Sequence, residues 1–201
     1  MSRMPVPIRS VLAAAIVALV AAVAAGCDGG SIAADNPGSS GQSFVGASYQ
    51  STFYQVGSRP DAPTVSGTTI SGQRLNLSSY HGDTVVLNFW GSWCAPCRAE
   101  APALAQLARK LAADNVRFVG VDIRDEPDSA RAFMQTFNVE YPSLNDPADE
   151  IALQFHSTVP PAAIPTTLVI DRSGRIAARI VGASSYANLD ALISHVIGHG
   201  A

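Results

Sequence analysis

Cys94 and Cys97 are separated by Ala95 and Pro96, and the group stands where an apolar run, Thr84–Trp90, gives way to a helical pattern. Two thiols at this spacing can close a small disulfide. A helix N-terminus behind the first favours its thiolate through unpaired N–H groups and the macrodipole. The chemistry this suits is exchange: Cys94 attacks a partner disulfide, a mixed disulfide forms, and Cys97 releases it. The expected geometry has the Cys94 sulfur presented to solvent by the helix tip, with Cys97 within bonding reach. Zinc is the competing use of such a pair, but a tetrahedral site needs two further ligands. No second pair exists and His81, His156, His195 and His199 are scattered, so neither a metal site nor a cofactor is expected.

Two side chains beside the pair invite a role. Trp93 reads as an exposed contact platform next to the nucleophile, with Trp90 as a core aromatic. Glu100 follows Cys97 by three residues and projects from the same helix face; taken alone it is a solvated helix carboxylate.

The elements that must position these residues alternate in type. Thr84–Trp90 is the kind of run expected of a strand buried on both faces. Residues 96–114 carry Ala101, Leu104, Leu107, Ala108 and Leu111 at helical spacing, and Pro96 suits the first turn, where its missing N–H would be unpaired anyway. Val116–Ile123 is a second buried strand, and residues 128–137 form a helix with Ala130, Phe133, Met134 and Phe137 on one side. A right-handed crossover joins the two strands. Residues 147–155 make a short helix, Thr166–Ile170 and Ile176–Val181 a hairpin, and residues 186–197 a closing helix. Upstream, residues 68–77 alternate around a Ser71-Gly72 turn as a hairpin. The class is three-layer α/β with a central mixed sheet and an N-terminal β-hairpin extension.

The chain of 201 residues leaves room for one domain plus appendages. Arg3 and Arg9 precede an uncharged stretch over residues 11–25, followed by Ala24-Ala25-Gly26-Cys27. That is the pattern of an export signal, and the apolar run is short for a membrane span, which needs about 20 residues. Residues 28–60 are rich in Gly, Ser, Asn and Gln and read as a flexible tether, although Phe44, Tyr49, Phe53 and Tyr54 are aromatic for a linker. The redox domain is expected over residues 61–201. The formal charge of −3 and the single lysine, Lys110, exclude the concentrated basic surface that nucleic acid requires.

The run Val85-Val86-Leu87-Asn88-Phe89-Trp90-Gly91-Ser92-Trp93-Cys94-Ala95-Pro96-Cys97-Arg98-Ala99-Glu100 resembles the thioredoxin superfamily, and most closely its TlpA/ResA/DsbE-type membrane-tethered branch. A second motif, Ile164-Pro165-Thr166-Thr167-Leu168-Val169-Ile170-Asp171, resembles that family's cis-proline loop and following strand. The resemblance spans residues 62–199. It implies a thioredoxin-like fold and an extracytoplasmic thiol-disulfide oxidoreductase acting on protein thiols or disulfides. Pro165, trans if judged alone, is then cis beside the disulfide, and Ile164 offers backbone groups to an extended substrate. Glu100 then helps move protons at the buried thiol. Asn88 departs from thioredoxin itself, where a buried aspartate occupies the strand, so acid–base work falls to Glu100 or water. Ala-Ala-Gly before Cys27 resembles a lipobox, with Ala24 where leucine is commonest, and implies a lipid anchor on the outer face of a bacterial cell membrane. The loop containing Val159-Pro160-Pro161-Ala162-Ala163 is longer than the family's.

The resemblance leaves direction open. A reductase of the cytochrome c maturation type, fed by a membrane electron donor, is the first expectation. An oxidase that passes electrons to a membrane acceptor is the second. A binding module or metallochaperone without turnover is a third. A peroxidase would carry threonine three residues before the nucleophile, where Gly91 stands.

Overall fold

The computed structural model describes the backbone of residues 41–45, and residues 49–160 and 163–199 in full. The expected signal segment with Cys27, much of the tether, and Pro161 and Ala162 lie outside the described residues.

The centre of the domain is β5 (Thr84–Trp90), all of whose residues are buried. A strand is buried on both faces only when layers cover both, and β5 divides its side chains accordingly. Val85, Leu87 and Phe89 point to one core, Val86 to a second, and Trp90 to a third that holds both cysteines. The seven-stranded sheet runs β1 (Gly41–Val45), β2 (Gln50–Tyr54), β9 (Ile176–Val181), β8 (Thr166–Ile170), β5, β6 (Val116–Ile123) and β7 (Ser143–Asp146). β5, β6 and β7 are parallel, and the other neighbouring pairs are antiparallel, so the sheet is mixed as expected.

On one face lie α1 (Ala95–Leu111), α2 (Pro127–Thr136) and α4 (Tyr186–His199). Leu104, Leu107 and Leu111 of α1 meet Leu189, Leu192 and Ile193 of α4 over Val86 and Val169. Each such side chain contributes about 1.5–3 kcal/mol on burial. The other face carries α3 (Glu150–Gln154) and the separate hairpin of β3 (Ser66–Thr68) and β4 (Arg74–Asn76). α1 continues through Pro102. The carbonyl that loses its partner belongs to Arg98, and both residues are exposed, so water can satisfy it.

The structure corrects two expectations. The stretch read as tether enters the sheet: β1 pairs with β2, and β2 with β9 in the register Gln50↔Val181 to Phe53↔Ala178. Its polar sequence hides a strand because edge pairing is made by backbone groups. The structure also adds β7, whose four residues include a single large apolar side chain, Leu144, too few for an alternating signal. The helix expected over residues 147–155 shrinks to α3, with its N-terminal amides of Ile151 and Ala152 donating to Asp146.

Arg59, just beyond β2, ties this edge down. Its Nη1 donates to Asp171 Oδ2 at 2.7 Å, its Nη2 to the His199 carbonyl at 3.3 Å and its Nε to the Tyr54 carbonyl at 3.4 Å. Both members of the ion pair are buried.

Candidate active site

At the end of β5 the chain turns through Gly91, Ser92 and Trp93, and the Cys94 N–H donates to the Gly91 carbonyl at 3.1 Å. Cys94 has an extended backbone and caps α1: its Sγ accepts the Cys97 N–H at 3.2 Å. An amide directed at that sulfur favours a thiolate there once the bond is reduced, on top of the helix dipole. Cys94 and Cys97 are joined as a disulfide with Cα atoms 5.2 Å apart.

The expectation that the nucleophilic sulfur stands open to solvent is corrected. Cys94 is 4% exposed and Cys97 2%. Ile70, Trp90, Ala101 and Phe133 form one apolar cluster with both cysteines, and Ile164 packs against it. A partner must therefore settle on the surface around Cys94 to reach its sulfur. Trp93, 48% exposed, is the large side chain available for that contact.

Trp93 is held from the end of β6. Its Nε1 donates to the Ile123 carbonyl at 3.3 Å, the Arg124 guanidinium lies 5.3 Å from its ring centroid, and Asp125 Oδ2 accepts the Ser92 N–H at 2.5 Å. A Cβ at position 91 would lie 2.7 Å from the indole nitrogen. Glycine there lets the ring fold back, and a threonine would displace it.

Glu100 is 2% exposed, not the solvated carboxylate its type suggests alone. Its Oε1 accepts from Asn88 Nδ2 at 2.9 Å and its Oε2 from the Ser184 N–H at 3.2 Å. Asn88 also donates to Thr167 Oγ1 at 3.0 Å. Desolvation raises the carboxyl and the Ser184 and Asn88 bonds pull it back, leaving it at about 7. The neighbouring Tyr141 phenol is raised by burial and then by the charge of Glu100. A group that ionises near neutrality one turn from Cys97 on the same face can take or return that thiol's proton.

Asp122 on β6 stands in register with Trp90 and is fully buried. Neither of its oxygens has a hydrogen-bond partner among the described residues. Desolvation, then the charge of Asp125 and the interaction between the two carboxyl groups, with a last contribution from Asp146, push it up to about 8.

The Ile164–Pro165 bond is cis. Ile164 packs against the cluster holding the cysteines and against the core on the other face. Its own N–H and C=O have no partner among the described residues, so both are free for an incoming strand. Among the described residues no group of three or more His, Cys, Asp or Glu is arranged for a metal. No helix among them is long and apolar enough to cross a membrane.

The model of the AhpC/TSA family matches residues 59–179. The chain belongs to this family. Thiol-disulfide oxidoreductase ResA of Geobacillus kaustophilus is 32% identical over 133 residues, 66% of this chain and 73% of that protein. ResA of Bacillus thuringiensis subsp. konkukian is 26% identical over 136 residues, 68% of this chain and 76% of that protein. Among solved structures, a secreted thiol-disulfide isomerase from Corynebacterium glutamicum superposes with a TM-score of 0.69 at 30% identity, covering 74% of this chain and 92% of that one. The fold is thioredoxin-like, and the chain is a thiol-disulfide oxidoreductase of the ResA/DsbE kind.

Of the residues singled out in the sequence, Cys94, Cys97, Trp93 and Glu100 converge where β5 meets α1, and Ile164 joins them from the loop before β8. Cys27 lies outside the described residues. Sequence reasoning missed Asp122, Arg124, Asp125, Thr167 and Ser184. For Glu100 a signal was available: it falls on the stripe of Cys97, Ala101 and Leu104, which α1 buries, so its charge had to be buried too.

Proposed function

We propose that this chain works outside the cytoplasm as a reductase of disulfides in protein substrates, Cys94 being the attacking and Cys97 the resolving thiol. The observation that carries the reading is the Cys94–Cys97 disulfide at the N-terminus of α1 with Glu100 buried one turn behind it. In the dithiol form the Cys94 thiolate attacks one sulfur of a substrate disulfide, and the other sulfur leaves as a thiolate. Glu100 takes the proton from Cys97, whose thiolate attacks Cys94 and expels the second substrate sulfur. The substrate gains two electrons and the protein disulfide is restored. Trp93 supplies contact area, and the unpaired Ile164 backbone beside Pro165 receives the substrate chain as an added strand.

A membrane electron donor re-reduces the pair, and Cys27, acylated after signal cleavage, holds the protein at the cell membrane. The Ala-Ala-Gly-Cys pattern and the secreted isomerase among the similar structures support that location. The substrate class we favour is haem-attachment cysteines during cytochrome c maturation.

Cys97→Ser is expected to accumulate a mixed disulfide between Cys94 and its substrate, identifiable by mass spectrometry, whereas Cys94→Ser traps nothing. A reduction potential near −270 mV against glutathione fits a reductase; one near −120 mV makes the protein an oxidase instead. An unmodified Cys27 thiol in mature protein would remove the anchor from this scheme.

A further inference from the structure

The turn that leads into Cys94 is held from a single stretch, Asp122 to Asp125, where β6 ends. The Ser92 N–H donates to Asp125 Oδ2, the Trp93 indole to the Ile123 carbonyl, and Arg124 lies over the ring. Asp125 grips the backbone of the turn, and its other oxygen accepts the Glu126 N–H at 2.9 Å. Behind it stands Asp122, fully buried, with neither oxygen hydrogen-bonded among the described residues, and the two carboxyl groups interact directly. No cation relieves the contact. In register with Asp122 are Trp90 on β5 and Asn145 on β7, both uncharged. Around Trp90, α2 presents Ala130 and Phe133, and α1 presents Cys97, Ala101 and Ala105, uncharged while the disulfide is closed. Arg124 of the adjoining loop is paired with Asp149, and Arg131 of α2 with Asp128. The charges that act on Asp122 are those of Asp125 and Asp146, both negative. Two carboxylates this close cannot both be ionised without strong repulsion, so one keeps a proton. Asp125 has two N–H donors that favour its charge, and Asp122 has none. The proton therefore sits on Asp122, whose O–H can donate to Asp125.

We propose that Asp122 is a positioning residue for the exchange reaction: protonated, it donates to Asp125 and fixes the turn before Cys94, and ionised, it repels Asp125 and frees that turn. The consequence for rate rests on the exchange reading; the structural part does not. When Asp122 loses its proton, Asp125 is the member of the pair that can move, because it is half-buried whereas Asp122 is enclosed. The Ser92 N–H then loses its acceptor, and Trp93, the next residue, loses the anchored backbone beneath it. A partner disulfide meets a contact surface no longer fixed relative to Cys94, and the orientation that exchange requires is weakened. The two buried acids thereby divide the work. Glu100, at about 7, handles the proton of the resolving thiol, and Asp122, at about 8, sets how firmly the partner is received.

The first measurement uses the oxidised protein, in which neither active-site cysteine titrates. Acrylamide quenching of fluorescence reports Trp93, the exposed one of the two tryptophans, since Trp90 is buried. In the unmodified protein the quenching constant should rise with pH around a midpoint near 8. Asp122→Asn, whose amide can donate to Asp125 at every pH, should stay at the low value throughout. Asp125→Ala, which leaves Ser92 without its acceptor, should stay at the high one. The second measurement follows reduced protein with insulin as the disulfide substrate, separating the half-saturating concentration from the limiting rate. Asp122→Asn and the unmodified protein should agree in half-saturating concentration at pH 6. At pH 9 the variant's should be lower by about fivefold, the order of one hydrogen bond to a charged acceptor. Both limiting rates should keep the inflection near 7. A quenching constant that is flat between pH 7 and 9, a rise that persists in Asp122→Asn, or equal half-saturating concentrations at pH 9 would overturn the positioning role. Failure of the unmodified protein to reduce insulin at any pH would instead overturn the exchange reading, and quenching would still decide whether Asp122 holds the turn.

Discussion

Glu100 and Asp122 are both carboxylic acids buried beside β5, one on the β8 side and one on the β6 side, yet they live in opposite surroundings. Glu100 receives two N–H donors, from Asn88 and Ser184. Asp122 has no N–H donor among the described residues and instead faces the carboxyl groups of Asp125 and Asp146. Burial raises both. The donors return Glu100 to about 7, whereas Asp122 rises to about 8 from a lower ordinary value. Burial raises both acids toward neutrality, and only Glu100 has N–H donors that favour its charged form.

The largest test of that contrast is Asp122→Asn. An acid raised from 3.8 to about 8 keeps its proton in the native state while the unfolded chain gives it up. Its cost to stability is absent below pH 3.8, grows as pH rises, and is complete above 8, reaching on the order of 5 kcal/mol. The asparagine variant should therefore be more stable by several kcal/mol at pH 8 in urea unfolding and no more stable at pH 4. Its exchange activity should keep the wild-type inflection near 7.

Glu100→Gln should do the reverse for activity. Raised from 4.5 to about 7, Glu100 costs stability that sets in above 4.5 and levels off above 7, on the order of 3 kcal/mol. Replacement should flatten the stability profile between those values and erase the inflection near 7 in the rate of exchange. If the inflection persists, Glu100 is not the proton carrier.

Smaller substitutions sharpen the role of the donors. Asn88→Val removes one N–H from Glu100 and should move the activity inflection upward by about one unit, a change of roughly 1.4 kcal/mol. Thr167→Val removes only the acceptor behind Asn88, and a shift below half a unit is expected, read from the same rate profile.

The central parts of the fold were legible in the sequence because burial leaves an apolar record. β5, β6, β8 and β9 are found where their runs of Val, Ile and Leu place them. The outer parts of the sheet left little record: β7 at one edge and the β1–β2 pair at the other carry few aliphatic residues, and their pairing is a matter of backbone groups. The disulfide pair was legible from spacing and the cis bond from resemblance to a family. Asp122 was not, because an aspartate inside the apolar run of β6 gives no hint of which neighbours it meets. The exposure of Cys94 was misjudged for a related reason. A helix tip suggests accessibility, but Ile70, Phe133 and Ile164 arrive from distant parts of the chain to cover it.

The clasp made by Arg59 has a mechanical consequence. Gln50–Phe53 run antiparallel to β9, and Arg59 grips Asp171 and the end of α4. A pull on the polypeptide upstream of residue 50 loads that ladder along its length, so its backbone hydrogen bonds share the force instead of opening one at a time, and the Arg59–Asp171 pair carries part of it to the end of β8.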